Sequence, residues 1–250
     1  MKKGVMLTSR DIEIMQDLYD SMLLSFGQIH ERHFKNCAIS TVSNRLSKLI
    51  RDELVKSIRV GIIIFRGTPE TIGSVYQVTR KGIKVLEQRF PYTRFRETSP
   101  IISHLTLTHD LILADVIKSL KLQNPEGKVI QGKNFYRADA KGKRLPDAII
   151  LYPNTKQKVA IELELTAKSE KRYKDIVMQY RMQPEFEKVI YIVQRPGIAE
   201  KILEQVEGHR LVPGLFVRKP SKFSFLFLDQ FLKGNSAELF KDTFNQTLAS

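Results

Sequence analysis

The sequence predicts a two-part α+β chain: a small helical domain closed by a strand hairpin, then a larger α/β core. Three observations predict it. Apolar residues recur at helical spacing three times before residue 55 and then alternate at strand spacing. The stretch PYTRFRETSP (91–100), with a proline at each end, breaks the periodicity. Beyond it a long helix, three strands, a helix and a strand follow in the order αβββαβ. A length of 250 residues accommodates two such parts, with domains at 1–90 and 104–250 and a linker at 91–103.

LTSRDIEIMQDLYDSM opens with Thr8 or Ser9 as N-cap and sets Ile12, Met15, Leu18 and Tyr19 on one face. SFGQIHERHF (25–34) is a short second helix. AISTVSNRLSKLIRDELV (38–55) is a third, apolar at Val42, Leu46, Leu49 and Ile50. Its other face carries Ser40, Thr41, Ser43, Asn44, Arg45, Lys48 and Arg51. LVKSIRVGIIIFRG and SVYQVTRKG read as strands joined by the turn-rich GTPETIG, and RKGIKVLEQRF as a closing helix. That order is the order of a winged helix-turn-helix, with 38–53 as recognition helix and Lys56, Arg59 and Arg66 on the wing. Short polar and basic side chains suit base edges and phosphates. The competing reading is an ordinary solvated helix face.

The core begins with the helix SHLTLTHDLILADVIKSLKLQ. Strands KVIQGKNFYR, DAIILY and KVAIELEL follow, then the helix AKSEKRYKDIVMQYRM and the strand KVIYIVQ. A helix near 198–207, strands at 214–218 and 223–228 and a polar tail complete the chain.

Composition narrows the partners. Lys and Arg number 41 against 27 Asp and Glu, a net charge of +14, which favours a polyanion such as DNA. The single cysteine, Cys37, excludes an internal disulfide and a cysteine-rich zinc site, and suits the cytoplasm. The longest apolar run, FSFLFL, is far short of the ~20 residues that cross a bilayer. No Walker-type phosphate loop is present, and none of the five histidines forms a His-x-His pair.

Against this basic background, RLPDAIILYPNTKQKVAIELEL (144–165) sets Asp147, Glu162 and Glu164 among apolar runs. With a strand period of two, both glutamates share one face, while Ile161, Leu163 and Leu165 share the other. A hairpin through YPNTKQ can bring Asp147 beside them. Three carboxylates together raise one another's pKa unless a cation neutralises them, and Mg²⁺ or Mn²⁺ favours such hard oxygen ligands. The alternative is an exposed edge-strand face paired with Lys156, Lys158 or Lys168. Lys141, Lys143 and Arg144, just ahead of Asp147, form either a phosphate clamp or a solvated basic loop. Tyr173 and Tyr180, seven apart on one helix, are packing or DNA-facing groups.

Asp147 in LPD, ahead of Glu162 in IELE, within αβββαβ, resembles the PD-(D/E)XK nuclease superfamily, the fold of many restriction endonucleases. The lysine that ends its motif is Glu164 here, with Lys168 and Lys171 on the following helix as candidate replacements. Over roughly residues 7–195, LTSRDIEIMQDLYDSMLLSFGQI, HDL (109–111), LPDAII, AIELELT and the Tyr180 helix resemble the replication-relaxation family, which is similar to the MobC-type plasmid relaxases. The resemblance implies a winged helix joined to a restriction-endonuclease-like domain. It implies metal-binding and catalytic roles for Asp147, Glu162 and Glu164, and accessory ones for His109, Asp110 and Tyr180. It also implies Mg²⁺ or Mn²⁺, an origin-like site on double-stranded DNA that is nicked, a homodimer, and other transfer or replication proteins as partners. Glu164 in the lysine's place leaves open a DNA-binding regulator with an inactive nuclease fold.

Overall fold

The computed structural model describes residues 6–65, 68–91, 95, 103–135, 144–207 and 222–234. Arg66, Lys141, Lys143, the expected strand at 214–218 and the tail from 235 lie outside these residues. The chain divides into two compact units, Met1–Ala114 and Asp115–Ser250.

In the first unit, α1 (Ser9–Ser21) starts at a capping box, Thr8 and Asp11 satisfying each other's backbone N–H groups. A two-residue strand β1 (Leu24–Ser25) leads to α2 (Phe26–His33), which repeats the device with Ser25 and Gln28. Helix α3 (Ile39–Arg51) ends where Glu53 takes a left-handed conformation at φ 59° and Leu54 N–H reaches back to the Leu49 carbonyl. The chain then enters β2 (Val55–Phe65), returns in β3 (Thr68–Val78) and closes with α4 (Arg80–Arg89). The sheet order is β1-β3-β2, all antiparallel. Ile14, Met15, Leu18, Ile29, Val42, Leu46, Leu49, Ile83 and Leu86 form its core, each worth roughly 1.5–3 kcal/mol of apolar burial.

The wing differs from expectation. GTPETIG was expected as a loop, but residues 68–73 lie inside β3. Gly61 and Gly73 face each other across the ladder at φ 75° and 69°, with register shifts on either side of Gly61. Glycine carries these left-handed conformations without a Cβ clash, so the ladder continues through the irregularity.

Helix α5 (His104–Gln123) begins after residue 103, and the boundary between the units falls within it. Packing explains the position. Leu107 and Leu111 cluster with Leu23 and Val75, and the Gln28 side-chain amide donates to the Leu111 carbonyl at 2.9 Å.

In the second unit, β4 (Lys128–Gln131), β5 (Ala148–Leu151), β6 (Lys158–Glu164), β7 (Lys188–Val193) and β8 (Phe223–Phe227) lie side by side in chain order. The first three are antiparallel, and β6, β7 and β8 are parallel. Short α6 (Gly132–Phe135) takes the place of the second half of the strand expected over 128–137. Helix α7 (Glu170–Arg181) connects β6 to β7, α8 (Pro196–Glu207) follows β7, and α9 (Leu228–Leu232) follows β8. Tyr173, Ile176, Val177 and Tyr180 of α7 pack with Ile149, Ala160, Val189, Tyr191 and Val193 of the sheet. The fold is thus α+β: a winged helix-turn-helix arrangement followed by a core in which a mixed five-stranded sheet is joined to helices.

Candidate carboxylate site and nucleic-acid face

Asp147 enters the sheet beside its neighbouring strands through two backbone constraints. Gly132 N–H donates to the Asp147 carbonyl at 3.0 Å. A Cβ on Gly132 would stand 1.7 Å from the Pro146 carbonyl oxygen, so only glycine allows this approach. The Asp147 carboxylate in turn accepts the Leu163 N–H at 2.8 Å, which ties the residue ahead of β5 to the C-terminal end of β6.

Glu162 and Glu164 share a face of β6, as period two requires, but that face is covered. Strand β6 lies between β5 and β7, and the two glutamates are 1% and 2% exposed. The edge-strand alternative is therefore corrected: alternation marks a half-exposed strand only where one face meets water, and here α7 lies over it. Arg144 forks onto Glu162, Nε to Oε1 at 3.0 Å and a terminal nitrogen to Oε2 at 2.8 Å. The Tyr180 phenol donates to the same Oε1. Lys168 sets its ammonium on both oxygens of Glu164. Its own backbone N–H donates to the Tyr173 phenol at 3.1 Å, which pins the loop ahead of α7.

The charge of Asp147 bears on both glutamates. Burial, and then the Asp147 charge, push Glu162 up to about 7 even against Arg144 and Tyr180. Glu164 is raised by burial and by Asp147, with Lys168 opposing. Burial works against the Arg144 charge, but Glu162 outweighs it and holds the guanidinium above its ordinary value. Burial and Glu162 keep Tyr180 protonated well beyond its usual range.

Among the described residues no three His, Cys, Asp or Glu side chains converge into a ready metal-binding set. A divalent ion at Asp147 and Glu164 would have to displace Lys168, which covers both Glu164 oxygens. Asp147 is half-buried, and Glu164 is held by a lysine whose side chain is 25% exposed; Mg²⁺ commonly takes one or two carboxylates and keeps its waters. Glu162 fits less well as a ligand, because Arg144 and Tyr180 already claim both of its oxygens.

The remaining expected residues distribute as follows. Arg144 turns to Glu162 rather than standing out as a phosphate clamp. His109 and Asp110 lie in the first unit, 3.7 Å apart, with Thr106 donating to Asp110 at 3.0 Å. On α3, Ser40, Thr41, Ser43, Asn44, Lys48 and Arg51 are exposed, and so is Arg59 on β2. Arg45 instead turns inward, its Nε 2.6 Å from Asp11 and a terminal nitrogen 3.0 Å from the Met6 carbonyl. It fastens α3 to the start of α1. Sequence reasoning passed over Gly132 as a positioning residue and Tyr191, whose register partner is Glu162. Glycine at a strand end was the available signal for the first; nothing local marked the second.

No protein-family model and no curated protein matches the chain. Among solved structures, a mutant of Lactococcus lactis ZitR is similar at 24% identity and TM-score 0.27, covering 35% of this chain and 53% of its own. The restriction endonuclease FokI is similar at 11% identity and TM-score 0.31, covering 98% of this chain and 48% of its own. The chain thus spans about half the length of each of these two structures.

Proposed function

We propose that this chain binds double-stranded DNA through α3 and the wing and cleaves a phosphodiester bond at Asp147 and Glu164 with Mg²⁺ or Mn²⁺. One observation carries the reading: Glu162 and Glu164, on one face of β6, are almost fully buried, and Asp147 stands at the head of the neighbouring strand with its carboxylate on the Leu163 N–H. Apolar residues of similar volume would often make such a core equally or more stable, and strongly perturbed buried acids concentrate at functional sites. A divalent ion there would supply Lewis-acid stabilisation of a phosphoryl oxygen and activation of water. Asp147 and Glu164 would hold it. Glu162 holds Arg144 at the mouth of the site, and Tyr180 holds Glu162. Lys168, on a flexible stem, can leave Glu164 for a phosphate oxygen and so stands in for the motif lysine.

On α3, Asn44 and Ser43 present groups for base edges, and Lys48, Arg51 and Arg59 meet phosphates. The cut in this reading is a single-strand nick at an origin-like site of a plasmid or mobile element, and the cytoplasm is where that DNA lies.

A second reading has its own observation. Arg144 and Lys168 already neutralise Glu162 and Glu164 without a metal, as in a DNA-binding regulator whose nuclease-like domain has no catalytic role. Glu164→Ala separates the two on an end-labelled duplex from the DNA flanking its gene. The nuclease reading expects binding retained and cleavage abolished; equal cleavage by the variant would overturn it. Tight metal-independent binding to a palindrome upstream of the gene, with no strand breaks under any divalent ion, would select the regulator.

A further inference from the structure

Helix α3 is built against its own helical stability on the side that faces water. Ser40, Thr41, Ser43, Asn44 and Ser47 are all exposed and all weaker helix formers than alanine, glutamate or glutamine. Packing does not ask for them, since the buried residues of the helix are Val42, Leu46 and Leu49. No acidic side chain lies between Ile39 and Arg51 to repel a polyanion. Asn44 stands at the centre of the exposed face, four residues after Ser40, three before Ser47 and four before Lys48. The serines around it are short, so its amide projects beyond them. That amide makes no hydrogen bond to any described residue. Arg45, next in the chain, is turned back onto Asp11 and the Met6 carbonyl and holds α3 in place. Asn44 therefore has a use that neither the helix nor its packing supplies.

We infer that Asn44 is a specificity-determining residue that reads an adenine in the major groove. A side-chain amide sets a donor and an acceptor side by side in one plane. Adenine presents the complementary pair there: the amide nitrogen donates to N7, and the amide oxygen accepts from the N6 amino group. Guanine offers two acceptors, cytosine a donor alone, and thymine an acceptor beside a methyl group, so none of them takes both bonds. The hydroxyls of Ser40, Ser43 and Ser47 donate or accept and discriminate less. The inference rests on the DNA-binding reading above and needs no metal.

Selection of duplexes from a randomised pool by the full chain, as wild type and as Asn44→Ala, tests it, followed by titrations on the selected site and its single-base variants. The expected result is a wild-type preference for adenine at one position of the site, removed in Asn44→Ala at that position alone. Replacing that adenine should weaken wild-type binding roughly 5- to 150-fold and leave binding by Asn44→Ala unchanged. The Tm of Asn44→Ala should be unchanged or raised, because alanine is the better helix former at an exposed position. A lowered Tm overturns the inference, because the amide would then have a structural partner. So does a variant that keeps every wild-type preference, whether at equal affinity or uniformly weaker as a lost phosphate contact would be. Loss of a preference for any base other than adenine, or wild-type binding without base preference, also overturns it and leaves the DNA-binding reading standing. Absence of wild-type duplex binding removes that reading and this inference together.

Discussion

Covered acids in the two units of the molecule, Asp11 and half-buried Asp17 in the first and Glu162 in the second, are tuned in opposite directions. In the first unit, burial alone would raise Asp17, but its hydrogen bond with His33 and the adjacent Arg32 bring it down to about 2. Burial likewise opposes Asp11, yet Arg45 and the Thr8 cap hold it below the usual carboxylate value. In the second unit Glu162 has a bidentate arginine and a tyrosine, and still rises to about 7. The difference lies in the neighbours. Asp11 and Asp17 face cations, whereas Glu162, as buried as Asp11, meets the Asp147 charge besides its arginine. Ion pairs in the first unit fasten helices; those in the second hold together a cluster that favours taking up more positive charge.

Removing a cation from each unit is the strongest way to break that contrast. Arg144→Ala leaves Glu162 buried without its partner and is expected to cost about 3–5 kcal/mol in urea denaturation at pH 8. The loss should shrink toward pH 5, where Glu162 is protonated. For the wild type the same group gives a signed pH dependence. Its folded value, about 7, lies above the ordinary 4.5, so its contribution is full below pH 4.5 and is lost as pH rises through 7. That loss amounts to about 3 kcal/mol from this group alone. A wild-type stability curve flat from pH 4.5 to 8 would contradict the contrast.

Gly132→Ala tests the backbone beneath the cluster. The Cβ would collide with the Pro146 carbonyl, and forcing the two segments apart is expected to cost about 1–3 kcal/mol and to displace Asp147. Thermal denaturation reads the first effect and Mn²⁺ affinity the second.

Asp17→Asn probes the opposite tuning. Because Asp17 titrates lower folded than unfolded, its ion pairs stabilise above pH 3.8 and that contribution is lost as pH falls through about 2. The substitution should cost about 2 kcal/mol at neutral pH and progressively less in acid. The smallest stability effects belong to the exposed face of α3. Lys48→Ala should leave stability within about 0.5 kcal/mol of wild type, while weakening DNA binding across sequences and reducing its salt slope by about 1. Arg45→Ala on the same helix should instead destabilise, because Asp11 loses its partner.

Arg45 also marks where the sequence stopped being legible. Helical periodicity identified α3 and its apolar stripe, yet Arg45 sits at the border of that stripe, and only the fold brings Asp11 within its reach. The αβββαβ order was readable because each strand and helix has its own period. So was the shared face of Glu162 and Glu164. That this face is buried was not readable, since burial follows from β6 lying between β5 and β7, a tertiary fact. The pairing of Arg144 with Glu162 was not readable either, since the two are eighteen residues apart in the chain. Tyr191 was hidden for the same reason, belonging to the cluster only through strand register.

The most direct measurement incubates the purified chain with supercoiled plasmid carrying the DNA that flanks its gene, in Mg²⁺ or Mn²⁺, beside Asp147→Ala. Site-specific conversion to open circles by the wild type alone is the predicted result. Intact plasmid bound equally by both proteins would contradict it.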